Sequence, residues 1–339
     1  MPGVGDTADS NGFTVTIDTD VTCTSLINTH ASAGSFSVTA TGRTINANIV
    51  ATGRFVLAIG TGSPGNLTTI NGNVTGGSSS GVVGISYTGF GNVTINGNVT
   101  GGSASSGHGM NVQGAAAMTV TVNGNVLGGS GVGANGIDGD RNNTWIVSGT
   151  VTGGSNTNAV GLNARSAGCI VTVGGAISGG GAAGASGVAM ISSGLLTANG
   201  PVLGGTNATA YGISRTGNGL SIVNNTVTGS ANAHGINLAA LLSASVTVVG
   251  AAITGGSAAN VCGINNAGTG SIQTTSNIVG GSAAGAYGVA NASTGPVILL
   301  GTATNNTANA INHAGAGVTY SCGVSSSGGG RGMFPGVMG

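Results

Sequence analysis

The chain has 339 residues, of which 71 are glycine, and its charged residues are six arginines and six aspartates with no lysine or glutamate. Helix-rich folds are excluded, because surface helices are built largely from Ala, Leu, Glu, Lys, Gln and Arg. A hydrophobic content of 40% at zero net charge argues against disorder, and scattered arginines exclude a nucleic-acid partner. So few acidic and basic groups also exclude most enzymes, leaving a folded protein of strands and tight turns.

Residues 1–62 differ from the rest of the chain. They hold four of the aspartates, two of the arginines and three of the five phenylalanines. Alternating runs at 13–17, 35–41 and 55–59 are typical of strands. We predict that this region is a cap or a set of irregular first coils that prevents end-to-end aggregation. It is also a candidate attachment region, in which Phe13, Phe36 and Phe55 contact a partner.

Residues 63–324 contain a repeat in which a short apolar pair is followed by two glycines. The first glycines lie at 76, 101, 128, 153, 179, 204, 229, 255 and 280, so successive copies are 25, 27, 25, 26, 25, 25, 26 and 25 residues apart. Two more apolar segments keep this period, as in Val93-Thr94-Ile95 before the glycine pair and Gly109-Met110 after it. Each unit therefore predicts three short strands.

Such a unit is too short to bury a core alone, so we expect successive units to stack as coils. The predicted fold is an all-β parallel β-helix, with three short strands in each coil of roughly 25 residues, about ten regular coils and an N-terminal cap. At about 4.8 Å per coil the regular part is roughly 50 Å long. The corners need positive φ angles, which Gly and Asn adopt most easily.

Residues 325–339 begin as a Ser/Gly spacer and end in an apolar tip. We interpret them as a C-terminal arm that inserts Met333, Phe334 and Met338 into a neighbouring subunit. A disordered tail is the alternative.

The repeat region offers one acidic cluster, Asp138-Gly139-Asp140-Arg141. Calcium needs six to eight oxygen ligands, so a local Asp–Arg turn is favoured over a metal site. His108 and His234 share a phase of the repeat but lie five coils apart, which indicates a variable surface turn rather than a shared metal. We therefore predict no catalytic, cofactor-binding or metal-binding residues, and no cofactor.

Neither the cysteines nor the threonines of the repeat indicate a specific function. The four cysteines are widely spaced and are interpreted as buried or incidental thiols. A threonine column that shares one phase would suit ice binding, but other residues interrupt it, so ice binding is the least favoured function. The column comprises Thr75, Thr100, Thr152, Thr228, Thr254 and Thr304, and the interruptions are Leu127, Ser178, Leu203 and Val279.

The repeat resembles the parallel β-helices of pectate-lyase-like proteins, autotransporter adhesins and phage tail or decoration proteins. The opening, with Gly5-Asp6-Thr7-Ala8 and Asn11-Gly12-Phe13, also looks like the start of uncharacterised strand-rich virion-associated phage proteins. These resemblances imply a non-enzymatic structural component of a virus (phage) particle, such as a capsid decoration or a tail or fibre protein. It would act as a rigid rod that docks on other virion proteins and on copies of itself, in a trimer or larger array.

The N-terminal sequence lacks a basic segment followed by an apolar one, and no window approaches the roughly 18 apolar residues of a membrane span. We therefore expect a virion protein that is assembled in the host cytoplasm and has no membrane partner. The alternative is a bacterial cell-surface adhesin or filament subunit, located outside the cell, which would need an export signal.

Overall fold

The computed structural model describes residues 3–30, 35–38, 42–51, 57–59, 66–87, 91–112, 118–139, 141–191, 193–207, 209–239, 244–250, 252–283, 285–292, 294, 296–300, 303–304, 311–313 and 319–321. Within these residues every regular element is a strand, and neighbouring strands pair in parallel. The chain forms a β-solenoid of about 10 turns, so the predicted all-β parallel β-helix is confirmed.

The strands form three ladders, each of which takes one strand from every coil. Ladders A and B belong to a 24-stranded sheet, and ladder C is a 13-stranded sheet. The ladder A strands are Leu67–Ile70, Asn92–Ile95, Thr119–Val122, Thr144–Val147, Ile170–Val173, Gly194–Ala198, Gly219–Val223, Ala244–Val248, Ile272–Thr274, Val297–Leu299 and Thr319–Ser321.

Ladder B contains the shortest strands, and ladder C follows it after a wider corner. The ladder B strands are Thr7–Asp9, Val74–Thr75, Val99–Thr100, Val126–Leu127, Val151–Thr152, Ile177–Ser178, Val202–Leu203, Val227–Thr228, Ala252–Thr254, Asn277–Val279 and Ala303–Thr304. The ladder C strands are Thr14–Ile17, Ser35–Val38, Leu57–Ile59, Ile85–Tyr87, Met110–Val112, Ile137–Gly139, Leu162–Ala164, Val188–Met190, Ile213–Arg215, Ile236–Leu238, Ile264–Asn266, Val289–Asn291 and Ile311–His313.

The N-terminal region joins the same stack. Val21–Asn28 and Thr44–Ala51 are long enough to contribute to both ladder A and ladder B, and their pairing shifts register between Thr22 and Ser25. The strands predicted at 13–17, 35–41 and 55–59 are confirmed over Thr14–Ile17, Ser35–Val38 and Leu57–Ile59, which belong to ladder C. The boundary predicted at residue 62 and the arm predicted at 325–339 lie outside the described residues.

The interior is a column of small aliphatic side chains. In ladder B one inward residue of each coil stacks on the equivalent residue of the next, and all are fully buried. These residues are Val74, Val99, Val126, Val151, Ile177, Val202, Val227, Ile253, Ile278 and Ala303. The largest buried side chain, Trp145, fits because Gly139 provides space where any Cβ would overlap the indole ring.

The corner between ladders B and C, here called corner BC, begins with the predicted glycine pair. A Cβ on Gly129 would overlap the carbonyl oxygen of Gly102, and a Cβ on Gly154 would overlap that of Gly129. The second glycines therefore lie directly on one another in successive coils. This contact is made with backbone atoms, so a side chain at Gly129 or Gly154 would displace the neighbouring coil. In one coil Ser230 takes the place of the second glycine.

Corner BC also contains one left-handed residue in most coils. Glycine occupies this position in half of these coils, and Ser106, Asn158, Thr209 and Asn260 occupy it in the others. The predicted positive φ angles are thus confirmed. The residues are Gly81, Ser106, Gly133, Asn158, Gly184, Thr209, Asn260 and Gly285, with φ between 57° and 74°.

The corner between ladders A and B, here called corner AB, contains two asparagine ladders in the first coils. The Nδ2 of Asn96 donates to Oδ1 of Asn71 at 2.7 Å, and Nδ2 of Asn123 donates to Oδ1 of Asn96 at 2.8 Å. Two residues later, the backbone N–H of Asn98 donates to Oδ1 of Asn73 at 2.8 Å. These bonds tie neighbouring coils together at the exposed edge of the stack.

Candidate functional site

The one cluster of paired charged side chains in the described part of the chain surrounds Asp138. Its side chain is fully buried although it projects from the outer side of ladder C. Oδ1 accepts hydrogen bonds from Nδ2 of Asn163 at 2.8 Å and Nδ2 of Asn135 at 3.3 Å. Oδ2 pairs with the guanidinium of Arg165 and lies 3.5 Å from Nε2 of His108.

This arrangement corrects the predicted Asp–Arg turn. Asp138 pairs with Arg165 of the following coil rather than with Arg141, which is exposed. Asp140, the other aspartate of the cluster, lies outside the described residues. The carboxylate is covered by its partners and has no exposed face for a substrate, so the cluster joins three successive coils instead of forming an acid–base site.

The two histidines that share a phase lie in corner BC, so the predicted turn position holds, but they are less exposed than a surface turn implies. His108 is buried and His234 is half-buried. Each uses Nδ1 to accept a backbone N–H from the next coil: His108 from Asn135 at 3.0 Å, and His234 from Cys262 at 2.9 Å. Asn135 repeats the role with Oδ1, which accepts the N–H of Val160 at 2.9 Å.

His234 is further covered by the ring of Tyr211, whose centroid lies 5.8 Å from that of the imidazole. Burial lowers the pKa of His234 below 6.5. The neutral imidazole, with a free lone pair on Nδ1, is the form that accepts the amide. Among the residues that the structure describes, no three His, Cys, Asp or Glu side chains lie together as a metal site.

Arg215 is a fully buried cation that sequence reasoning missed. It is the last residue of its ladder C strand and occupies the inward position taken by Met190 and Leu238 in neighbouring coils. Its guanidinium donates to the carbonyl oxygens of Gly194 at 2.6 Å and Asn218 at 3.0 Å. Burial lowers the pKa of Arg215 to about 10.

The guanidinium of Arg215 thus fixes the corner between ladders C and A. The signal in the sequence was an arginine two residues after the aliphatic anchor Gly212-Ile213, where the alternation of the strand points inward. Cys23, Cys169 and Cys262 are buried free thiols, as predicted, and Cys322 lies outside the described residues. Burial raises the pKa of Cys169.

Among the described residues, the outward positions of the ladder A strands carry no charged side chain. These outward residues form two columns, and we call these columns the ladder A face. They are the first and third residues of the four-residue strands, such as Leu67–Ile70, and the residues that pair with them in the longer and shorter strands. The first column contains Leu67, Asn92, Thr119, Thr144, Ile170, Leu195 and Leu220, and the third-position column contains Thr69, Thr94, Thr121, Ile146, Thr172, Thr197, Ile222, Thr247, Gln273 and Ile298.

The threonines on ladder A were not recognised from the sequence as a surface column. Only the column beginning at Thr75 was considered, as a possible ice-binding surface. That column lies on the outer side of ladder B and is interrupted as predicted, for example by Leu127, which is 42% exposed. The alternation in Val93-Thr94-Ile95 was the signal for the ladder A threonines, because Val93 and Ile95 point inward.

The predicted partner contacts have different outcomes. Phe13 is 72% exposed, so a partner can reach it. Phe36 is 2% exposed within the core, which does not fit a contact residue. Phe55, Met333, Phe334 and Met338 lie outside the described residues, so their contacts stay predictions.

Comparisons with known proteins identify no relative of this chain. No protein-family model matches the chain, and no curated protein or solved structure is significantly similar to it. None of the described segments forms a helix long and apolar enough to cross a membrane. The β-solenoid architecture thus stands on the fold itself, and nothing links it to phage proteins beyond the form of the repeat.

Proposed function

We propose that the protein is a non-enzymatic structural rod that serves as a component of a virus (phage) particle, such as a capsid decoration or a tail or fibre protein. One observation carries this proposal: from Leu67 onward the three ladders continue in register from coil to coil. The 13 strands of ladder C, at about 4.8 Å each, span roughly 58 Å.

The stack is suited to transmit or resist force. Each coil is bonded to its neighbours through backbone hydrogen bonds in all three ladders, and the interior is a continuous column of buried aliphatic residues. In solenoids of this kind each repeat contacts only its neighbours, so length and stability grow with the number of coils. Side-chain contacts at Asp138 and His234, and the asparagine ladders, add further bonds between neighbouring coils.

The outer surface supports docking on other subunits. The ladder A face is uncharged, and Phe13 and the four aspartates of the N-terminal region are exposed. An uncharged face together with an exposed aromatic side chain fits a protein that is packed among neighbours in an assembly. The same proposal includes the predicted location: the protein is assembled in the host cytoplasm and resides in the finished virion.

The test is to locate the protein in the organism that makes it. Antibodies raised against the recombinant chain would be used for immunogold electron microscopy, and purified particles would be analysed by mass spectrometry. We expect a fixed copy number in virus particles and gold label at fixed positions on them. Finding the protein only on the bacterial surface, or only as a secreted monomer that cleaves glycans, would overturn the proposal.

A further inference from the structure

We propose that the ladder A face is an interface through which two copies of this chain associate side by side. The inference rests on the proposed structural role and adds to it the surface by which rods join. Its occupant is a second copy of the chain, which packs face to face with the first.

The face has the composition of an interface. From Ile146 to Ile222 it carries five aliphatic side chains on four successive strands, of which Ile146 is 37% and Ile170 44% exposed. Threonine or asparagine occupies most of the remaining positions before this patch. No charged residue occurs among the described outward positions of ladder A, so two such faces meet without charge repulsion or charge burial.

The regular spacing of the face fits a second copy of the chain as its occupant. Because the strands pair in register, the outward side chains form ridges that repeat every 4.8 Å or so along the rod. Another surface can interdigitate along the whole length only if its own ridges have the same repeat. A second copy of this chain meets that condition, in the same way that identical sheets mate in a steric zipper.

The size of the face agrees with a reversible dimer. Ten strands, from Leu67–Ile70 to Val297–Leu299, give a length of roughly 48 Å, and two columns of side chains give a width of about 10 Å. Each copy would bury roughly 500 Å², and the pair would bury roughly 1,000 Å². That area lies near the lower limit for specific association, well below an obligate interface.

The test uses three lysine substitutions and sedimentation equilibrium of the full chain from micromolar to millimolar concentrations. Ile170→Lys and Thr197→Lys place a cation on the ladder A face. Ile191→Lys is the matched control, because Ile191 is 53% exposed but lies after the ladder C strand, away from the face. Circular dichroism would confirm that each variant is folded.

We expect the wild type to dimerise reversibly. Both face variants should weaken the dimer about a hundredfold or more, because a charge is then buried twice in each dimer, and Ile191→Lys should leave it unchanged. A wild type that stays monomeric at every concentration tested would overturn the interface and leave the rod proposal intact. That conclusion holds whether or not the protein also binds ice, which thermal hysteresis would reveal. Equal weakening by Ile191→Lys would also overturn the interface, and failure of the particle localisation alone would count only against the proposed function.

Discussion

The two corners that flank ladder B differ in how much of their sequence is kept from coil to coil. Corner BC keeps both glycines in every copy from Gly76 to Gly280 except one, in which Ser230 replaces the second, and second glycines such as Gly129 rest on the backbone of the neighbouring coil. Corner AB begins as Asn96-Gly97-Asn98 and its equivalents, but becomes Gly174-Gly175-Ala176 and then Asn224-Asn225-Thr226. Corner AB also keeps a central glycine on the backbone of the neighbouring coil in most coils, as Gly97 lies on Gly72. The residues that vary most in corner AB are therefore those on either side of that glycine, whose contacts are made by exposed side chains.

The largest expected effect comes from placing a methyl group in corner BC. Gly129→Ala should lower the free energy of unfolding by about 3 kcal/mol, because the new Cβ overlaps the carbonyl oxygen of Gly102 and two coils must separate. Denaturant unfolding followed by circular dichroism would measure the change.

The matched control is Gly133→Ala in the same corner. Gly133 has φ +66 and nothing within 4 Å of an added Cβ, so only the left-handed backbone opposes alanine, at about 1 kcal/mol. Equal losses from the two variants would contradict the idea that stacked backbone fixes the glycine pair.

A smaller effect is expected at corner AB. Asn96→Ala removes one bond to Asn71 and one from Asn123, and should cost about 1–2 kcal/mol because both bonds are exposed to water. The same unfolding assay applies. Asn232→Ala, at an exposed asparagine outside these ladders, serves as the control. A loss as large as that of Gly129→Ala would mean that the asparagine ladders are as essential as the glycine pair.

A pH-dependent effect is expected at the position occupied by His234. The folded state binds a proton at His234 less readily than the unfolded chain, so the free energy of unfolding should decrease as the pH falls below 6.5. His234→Asn should keep the bond to the Cys262 N–H, as Asn135 does for Val160, and remove this contribution.

Urea unfolding above and below pH 6.5 would compare His234→Asn with the wild type. His30→Asn is the control, because His30 is exposed. If His234→Asn retained the full pH dependence of the wild type, the assignment of that dependence to His234 would be wrong.

The smallest effect should be a gain in stability. Thr209 is β-branched and has φ 71, so Thr209→Gly should relieve strain and raise the free energy of unfolding by about 0.5 kcal/mol after the entropy cost of glycine. The thermal midpoint would report it. The same change at Thr197, inside a ladder A strand, should be destabilising, and a loss at both sites would show that Thr209 is not strained.

The sequence predicted the coil well, because period, strand positions and corner glycines are all local signals. The spacing of the glycine pairs alone placed Gly102 and Gly129 in successive coils, and the structure confirms that one lies on the other. The alternation in runs such as Val93-Thr94-Ile95 likewise indicated which side chains enter the core.

The contacts around charged and aromatic side chains were less predictable. The shared position in the repeat indicates that His108 and His234 are equivalent. It does not indicate that each accepts a backbone N–H from the next coil. The partner of Asp138 was sought among its neighbours in sequence, whereas Arg165 reaches it from one coil away. Such contacts depend on the length of the side chain and on where it lies relative to the next coil, and the period of the repeat specifies neither.

The central claim is that equivalent residues lie one above another at constant spacing. Pulsed electron paramagnetic resonance would test it most directly, with one nitroxide at Thr69 and a second at Thr197, Thr247 or Ile298, five, seven and nine coils further along by strand register. The native cysteines would be replaced by alanine, and labelled chains diluted with unlabelled protein. We predict distances of roughly 24, 34 and 43 Å, which rise in proportion to the number of coils. Distances unrelated to that number would contradict the solenoid and the rod-like role inferred from it.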